Sequence, residues 1–164
     1  MDHVWSPWRM KYIKSEKKPQ GCIFCDAINQ PQDDDSLIVK RGQHAFVILN
    51  RYPYTSGHIM IVPNQHVAVL EALDEKVCLE MMQLSKQGCA VLRAVYQPDG
   101  FNFGANLGAS AGAGIADHIH FHLVPRWDGD TNFMTSIGGT RVLPEDLQET
   151  LQRIRLGWKS LDSC

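Results

Sequence analysis

Three histidines, His118, His120 and His122, alternate with Ile119, Phe121 and Leu123 in the run from Asp117 to Pro125. Neighbouring side chains of an extended strand point to opposite faces, so this spacing predicts three imidazoles on one face and three apolar groups on the other. Core packing asks only for the apolar face. Imidazoles are costly to bury and titrate near neutrality, so three of them in register predict a working surface. Two chemistries suit them: shared ligation of one metal ion, or a nucleophile or general acid/base supported by its neighbours. A solvated face that is merely rich in histidine is the bland alternative.

A second cluster is Cys22-Ile23-Phe24-Cys25. Two thiolates spaced this way can converge on one ion from a tight turn, which suits tetrahedral zinc but supplies only half a site. His66, at the end of one strand-like run, and His118, at the start of another, could complete a Cys2His2 set if those ends adjoin. A thioredoxin-like redox pair competes with zinc, although Cys22 precedes neither a clear helix nor a βαβ unit, and an inert pair is the third reading. Just upstream of the histidines, residues 104–114 are rich in glycine and alanine. Small residues let backbone N–H groups approach phosphate oxygens, and Asn106 and Ser110 can add side-chain hydrogen bonds. The run has neither the Walker A ending nor the dinucleotide-fold glycine spacing, so alone it reads as a hairpin connection. Delivering three histidines to one face, it combines anion donors with a nucleophile candidate, as phosphoryl or nucleotidyl transfer requires.

The elements that must hold these residues follow from hydrophobic periodicity. Leu37–Val39, Ala45–Leu49 and His58–Val62 are short β-rich runs separated by turn residues, which predicts an antiparallel meander. Asp74 is placed to cap a helix running to about Tyr96, with Val77, Met81, Leu84, Gly88, Val91 and Val95 on one stripe. Cys78 and Cys89 fall inside that helix and read as packing residues. Strand-like segments follow at Phe101–Leu107 and Asp117–Pro125, and Pro144-Glu145-Asp146 opens a last helix marked by Leu147, Leu151, Ile154 and Trp158. The predicted class is α+β, a mostly antiparallel sheet with one long helix against it.

At 164 residues and 44% hydrophobic content the chain is one domain's worth, and a formal net charge of −2 provides no basic field to attract nucleic acid or anionic lipid. Residues 1–20 mix aromatic and basic side chains and read as an arm docked on the body, with a nucleic-acid arm disfavoured by Glu16 and by Asp33, Asp34 and Asp35. The N-terminus lacks the pattern of a signal peptide and no window reaches membrane-spanning length, so a cytoplasmic location without membrane partners is expected. Five cysteines, an odd number, argue against a disulfide framework.

The run from His118 to Val124 resembles the His-φ-His-φ-His-φ-φ signature of the histidine triad (HIT) proteins, φ being apolar. Asn50, Gly57 to Pro63, His66 and the loop from Asn106 to Gly114 stand in the family's order, so the likeness covers roughly residues 20–127. It implies an antiparallel five-stranded sheet with a long helix and a C-terminal helix, and a homodimer whose paired sheets form one continuous core. The HIT core would span residues 21–127, with the arm before it and a helical extension over 128–164. The likeness also implies a nucleotide cleft beside the triad, with His120 attacking the α-phosphate to form a nucleotidyl-histidine. His122 would steady the phosphate, with His58 and the backbone near Gly112 to Gly114 in the same site. Asn50 would hold the ribose, and the base would lie against Ile48 and Ile59. His118 would join Cys22, Cys25 and His66 around a structural zinc ion. His3 and His44 read as ordinary surface histidines.

Chemistry supports this assignment: a neutral imidazole is a competent nucleophile at pH 7, and its phosphoramidate is reactive enough for a second acceptor to discharge it. One departure from the family pattern precedes the triad, where Gly114 stands in place of the glutamine usual in hydrolytic members. The stretches Trp5–Tyr12, Leu49–Tyr54, Asn106–Gly112 and Pro125–Phe133 are similar to the bacterial diadenosine-tetraphosphate phosphorylase branch, in which inorganic phosphate accepts the nucleotide to release ADP and ATP. Ser110, the backbone of Gly112 to Gly114 and Arg126 are the candidate donors to that phosphate, Arg126 having an equal claim to be a surface charge. Mg²⁺ could accompany the polyphosphate. Hydrolysis of a dinucleoside polyphosphate or a nucleoside phosphoramidate is the alternative activity, and a zinc-stabilised nucleotide-binding module without turnover is the alternative of another class.

Overall fold

Five apolar runs become strands: β1 (Ile38–Arg41), β2 (Ala45–Leu49), β3 (Ile59–Pro63), β4 (Gly100–Gly104) and β5 (Phe121–Arg126). They form one sheet in the order β1-β2-β3-β5-β4, every neighbouring pair antiparallel. The computed structural model describes residues 21–31, 36–130 and 145–163. The expected arm over residues 1–20, the acidic run Asp33-Asp34-Asp35 and the segment 131–144 lie outside them, as do His3 and Cys164.

Register sorts the sheet into two faces. Ile48, Met60 and His122 are cross-strand partners on one face, and Leu49, Ile59 and Leu123 are partners on the other. Helix α1 (Ile23–Asn29) lies on the first face, where Phe24 meets the rings of His118 and His120. Helix α2 (Glu75–Tyr96) covers the second, with Val77, Met81, Leu84, Gly88 and Val91 buried as the stripe predicts, and Leu92 beside them. A Cβ on Gly88 would come within 3.0 Å of Ile59 Cδ1 and 3.1 Å of Leu123 Cδ2, so glycine sets how closely α2 approaches the sheet. Helix α3 (Leu147–Asp162) then packs on α2 and β1 through Leu151, Ile154 and Trp158, and Arg155 donates twice to the Ile38 carbonyl, at 3.0 and 2.7 Å. Gly157 admits this contact, because a Cβ there would stand 2.7 Å from Val95 and 2.9 Å from Val91. Cys78 and Cys89 are half-buried in α2 against the core, consistent with packing.

Local expectations fail in four places. Seven-residue α1 is unexpected, since an isolated helix that short is unstable in water. Burial of Phe24 and Ala27 against the sheet holds it, and Cys22 is its N-cap residue, so the Cys-x-x-Cys pair does open a helix. Asp74 stands at the start of α2, but its side chain makes no cap bond there, whereas Asp146 caps α3 by accepting from Gln148 N at 2.7 Å and Glu149 N at 2.9 Å. That second cap contributes about 1 kcal/mol. Strand β4 stops at Gly104 rather than Leu107, where the glycine-rich loop begins. Strand pairing along β5 begins at Phe121 rather than Asp117, because its neighbour β3 ends at Pro63 and the Ile119 N–H turns to the Val67 carbonyl at 2.7 Å. Among the described residues no helix is long and apolar enough to cross a membrane.

Candidate active site and metal centre

The histidines of the strand are arranged by hydrogen bonds that decide which nitrogen carries each proton. His120 Nδ1 lies 2.9 Å from the His118 carbonyl, which can only accept, so Nδ1 holds the proton and Nε2 keeps its lone pair. Burial pulls the His120 pKa below the usual histidine value, partly offset by that carbonyl, which favours the neutral, nucleophilic form. The Tyr54 N–H donates to His58 Nδ1 at 3.1 Å, so neutral His58 carries its proton on Nε2, 3.0 Å from His122 Nδ1. His122 therefore presents its own proton on Nε2. A lone pair on His120 and a donor on His122, their ring centroids 4.9 Å apart, suit attack on phosphorus and stabilisation of its oxygens.

The other end of the triad makes a different site. Cys22, Cys25, His66 and His118 bring four ligand atoms within 4.8 Å of one another. Cys22 Sγ is 3.1 Å from His118 Nδ1, and Cys25 Sγ is 3.4 Å from His66 Nδ1 and 3.7 Å from His118 Nδ1. Zn–S bonds of about 2.3 Å and Zn–N bonds of about 2.0 Å give tetrahedral edges of roughly 3.3–3.8 Å, close to these separations. His118 Nε2 donates to the Pro63 carbonyl at 2.9 Å, which turns Nδ1 toward the cysteines. Burial and the neighbouring Cys22 push the Cys25 thiol up to about 11, so a thiolate pair here calls for a cation. Two thiolates and two neutral imidazoles fit zinc in charge, geometry and donor type. His118 is fully buried, and a tetrahedral ion held by these four side chains would have no position open.

Between α1 and the triad face opens a cleft of about 460 Å³, lined on one side by α1 and on the other by Ile48, Asn50, Met60, His120 and His122. Gly114 reaches it, and so does Arg51, the one Lys or Arg residue on its described wall. Ile59 does not: its side chain faces α2, and Met60 takes the place expected for it. The period of two decides this, since His58 is hydrogen-bonded to His122 and Met60, two residues on, must share its face. Asn50 sits at the cleft, but Oδ1 accepts the Tyr52 N–H at 2.9 Å, fixing the amide in a turn, while Nδ2 lies 3.4 Å from His58 Nδ1.

The glycine-rich loop folds on itself more than expected. Residues Ala109–Ala111 form a 3-10 turn in which the Gly112 N–H donates to Ala109 O, the Ala113 N–H donates to Gly108 O, and Asn106 Nδ2 donates to Gly112 O. Gly112 takes a positive φ of 89°, which glycine tolerates. Neither Asn106, half-buried, nor Ser110, exposed, lies on the cleft wall, and the Asn106 amide and the Gly112 N–H donate within the loop instead. Arg126 is likewise committed, donating to Asp130 through Nε and Nη2 at 2.5 and 2.8 Å and to Asn102 at 2.7 Å, which favours its reading as a surface charge.

The HIT domain family matches residues 31–129. The chain belongs to the HIT family. This HIT protein is 39% identical to an AP-4-A phosphorylase of Mycobacterium tuberculosis over 96% of its own length and 85% of that protein. It is 26% identical to an adenosine 5'-monophosphoramidase of Schizosaccharomyces pombe, over 78% of its own length and 91% of that one. Among solved structures, a zinc-bound histidine triad family protein from Mycobacterium smegmatis superposes with a TM-score of 0.70 at 25% identity, covering 87% of this chain and 96% of its own. The α+β sheet with its flanking helices is thus the HIT fold, and the protein is a HIT-family enzyme. The comparison also agrees with the chemistry of the four-ligand cluster, which suits the same metal.

Proposed function

We propose that this HIT-family enzyme processes nucleotides by phosphorolysis of diadenosine tetraphosphate, passing AMP through His120 to inorganic phosphate. The observation that carries the reading is the His120 tautomer, with Nδ1–H on the His118 carbonyl and the Nε2 lone pair beside His122 at the cleft. Nε2 forms a bond to the α-phosphorus while the bond to the bridging oxygen breaks and ATP leaves. The positive charge gained by the ring is met by the His118 carbonyl, and His122 Nε2–H meets the phosphoryl oxygens. An oxygen of inorganic phosphate then attacks the same phosphorus, the P–N bond breaks, and ADP departs with His120 restored. Similarity to the M. tuberculosis enzyme favours phosphate over water as acceptor.

The cleft suits the substrate's parts. Ile48 and Met60 offer apolar surface to a purine, Asn50 offers a donor to the ribose, Gly114 keeps the phosphate contact expected of it, and Arg51 stands on the wall in place of Arg126 and Ser110. Zinc at Cys22, Cys25, His66 and His118 is structural in this reading, with no position left for substrate. Among the described residues this is the one set of three or more ligand side chains, so any Mg²⁺ would arrive on the polyphosphate.

The test is incubation with diadenosine tetraphosphate, with and without inorganic phosphate and Mg²⁺, followed by chromatography. ADP and ATP that form only with phosphate are the expected outcome. ATP and AMP released at one rate regardless of phosphate would make the protein a hydrolase.

We also propose a homodimer built along β4. That strand pairs only with β5 among the described residues, and Phe103 on it is 47% exposed, which suits burial against a second copy. Light scattering should return twice the chain mass; a monomer at micromolar concentration removes the proposal.

A further inference from the structure

Phe24 lies between the two sites. It is fully buried, its ring centroid is 5.3 Å from that of His118 in an edge contact and 5.0 Å from that of His120, and it stands between Cys22 and Cys25 in the first turn of α1. The His118 carbonyl that takes the His120 proton belongs to a residue held at Nε2 by Pro63 and directed at Nδ1 to the cluster. Two short paths therefore run from the four-ligand cluster to the nucleophile, one through the His118 backbone and one through the Phe24 ring. The second is unexpected for a purely structural ion, because α1 is too short to hold a ring in place by itself.

We propose that Phe24 is a positioning residue for His120, held in place by the cysteine pair on either side of it, so that metal occupancy sets the orientation of the nucleophile. The proposal rests on the reading of His120 as nucleophile. The His120 ring must aim Nε2 along one line at phosphorus, and misplacement by about 1 Å can cost on the order of 100-fold in rate. The Nδ1–H bond to the His118 carbonyl fixes one nitrogen but leaves the ring free to tilt about that contact, and Phe24 closes off the tilt on the α1 side. Phe24 also lines the cleft, so a simple wall role must be separated from a positioning role.

The experiment uses Phe24→Leu in the full chain, with zinc content confirmed at one per chain. Imidazole ¹⁵N correlation spectra, recorded without substrate, read the His120 tautomer directly, and steady-state kinetics separate kcat from KM. The wild-type protein should show a single Nδ1–H tautomer. In Phe24→Leu that signal should broaden or split, and kcat should fall about tenfold with KM changed less than about threefold. A rise in KM with kcat and the His120 signal unchanged makes Phe24 a wall and overturns the proposal. Should Phe24→Leu fail to fold, stepwise chelation of the wild-type protein gives the same decision: the His120 signal must lose its single tautomer as zinc leaves while the far-ultraviolet spectrum holds, and an unchanged signal overturns the proposal. The spectra need no turnover, so absence of phosphorolysis would count against the proposed reaction while leaving this coupling to be judged by itself.

Discussion

His120→Ala should reduce turnover of diadenosine tetraphosphate by about four orders of magnitude or more, because it removes the Nε2 lone pair that forms the bond to phosphorus. Nucleotide affinity should change by less than about threefold, since the nucleophile contributes to the transition state far more than to the bound ground state. The substitution also removes a buried donor from the His118 carbonyl, which costs about 1–3 kcal/mol and requires a folding check by circular dichroism. His122→Ala should be milder, on the order of 100-fold, because it removes a charge-stabilising donor and leaves the bond-forming atom in place. Equilibrium dialysis with a nucleotide and rapid-quench detection of a nucleotidyl-protein check both. A His120→Ala preparation, free of host enzyme, that retains a tenth of the activity would end the covalent mechanism.

One zinc per chain should be found in protein purified without chelator, and its removal should lower the midpoint of thermal unfolding by roughly 10 °C. The figure follows from a ligand held a thousandfold above its Kd, which stabilises the native state by about 4 kcal/mol, spread over the unfolding entropy of a domain this size. Without the ion, α1 loses its link to His66 and His118, and Cys25, its thiol pushed up to about 11, takes a proton instead. Cys25→Ser should reproduce the loss and abolish the response to chelator. Elemental analysis and differential scanning fluorimetry give the readings; a midpoint indifferent to chelator, or a chain purified without zinc, rules out the structural role.

Most of the strand plan is legible in the sequence, since β1, β2 and β3 are apolar runs bounded by turn residues, and α2 repeats its apolar positions with helical period. The alternation of His118, His120 and His122 also stated their common face, because a period of two is a property of the local chain. What no local pattern contains is which strand lies beside which. The order β1-β2-β3-β5-β4 inserts β5 between β3 and β4, and that insertion brings His122 against His58 and His118 against His66. Helix α1 escaped the sequence because its stability comes from Phe24 and Ala27 buried on a distant part of the chain, and with it escaped half of the cleft wall. Nothing local tells the face of Ile59 from that of Met60; the cross-strand pairing of Met60 with His122 decides it. The donors expected from Gly112 and Arg126 turn elsewhere for a related reason: a polar group satisfies itself with the nearest partner, and only the folded loop and the Arg126–Asp130 pair reveal which partner that is. Residue types and their spacing state which chemistry is available; the tautomers that direct it depend on carbonyls and amides at Pro63, Tyr54 and His118, backbone groups that carry no signature in the sequence.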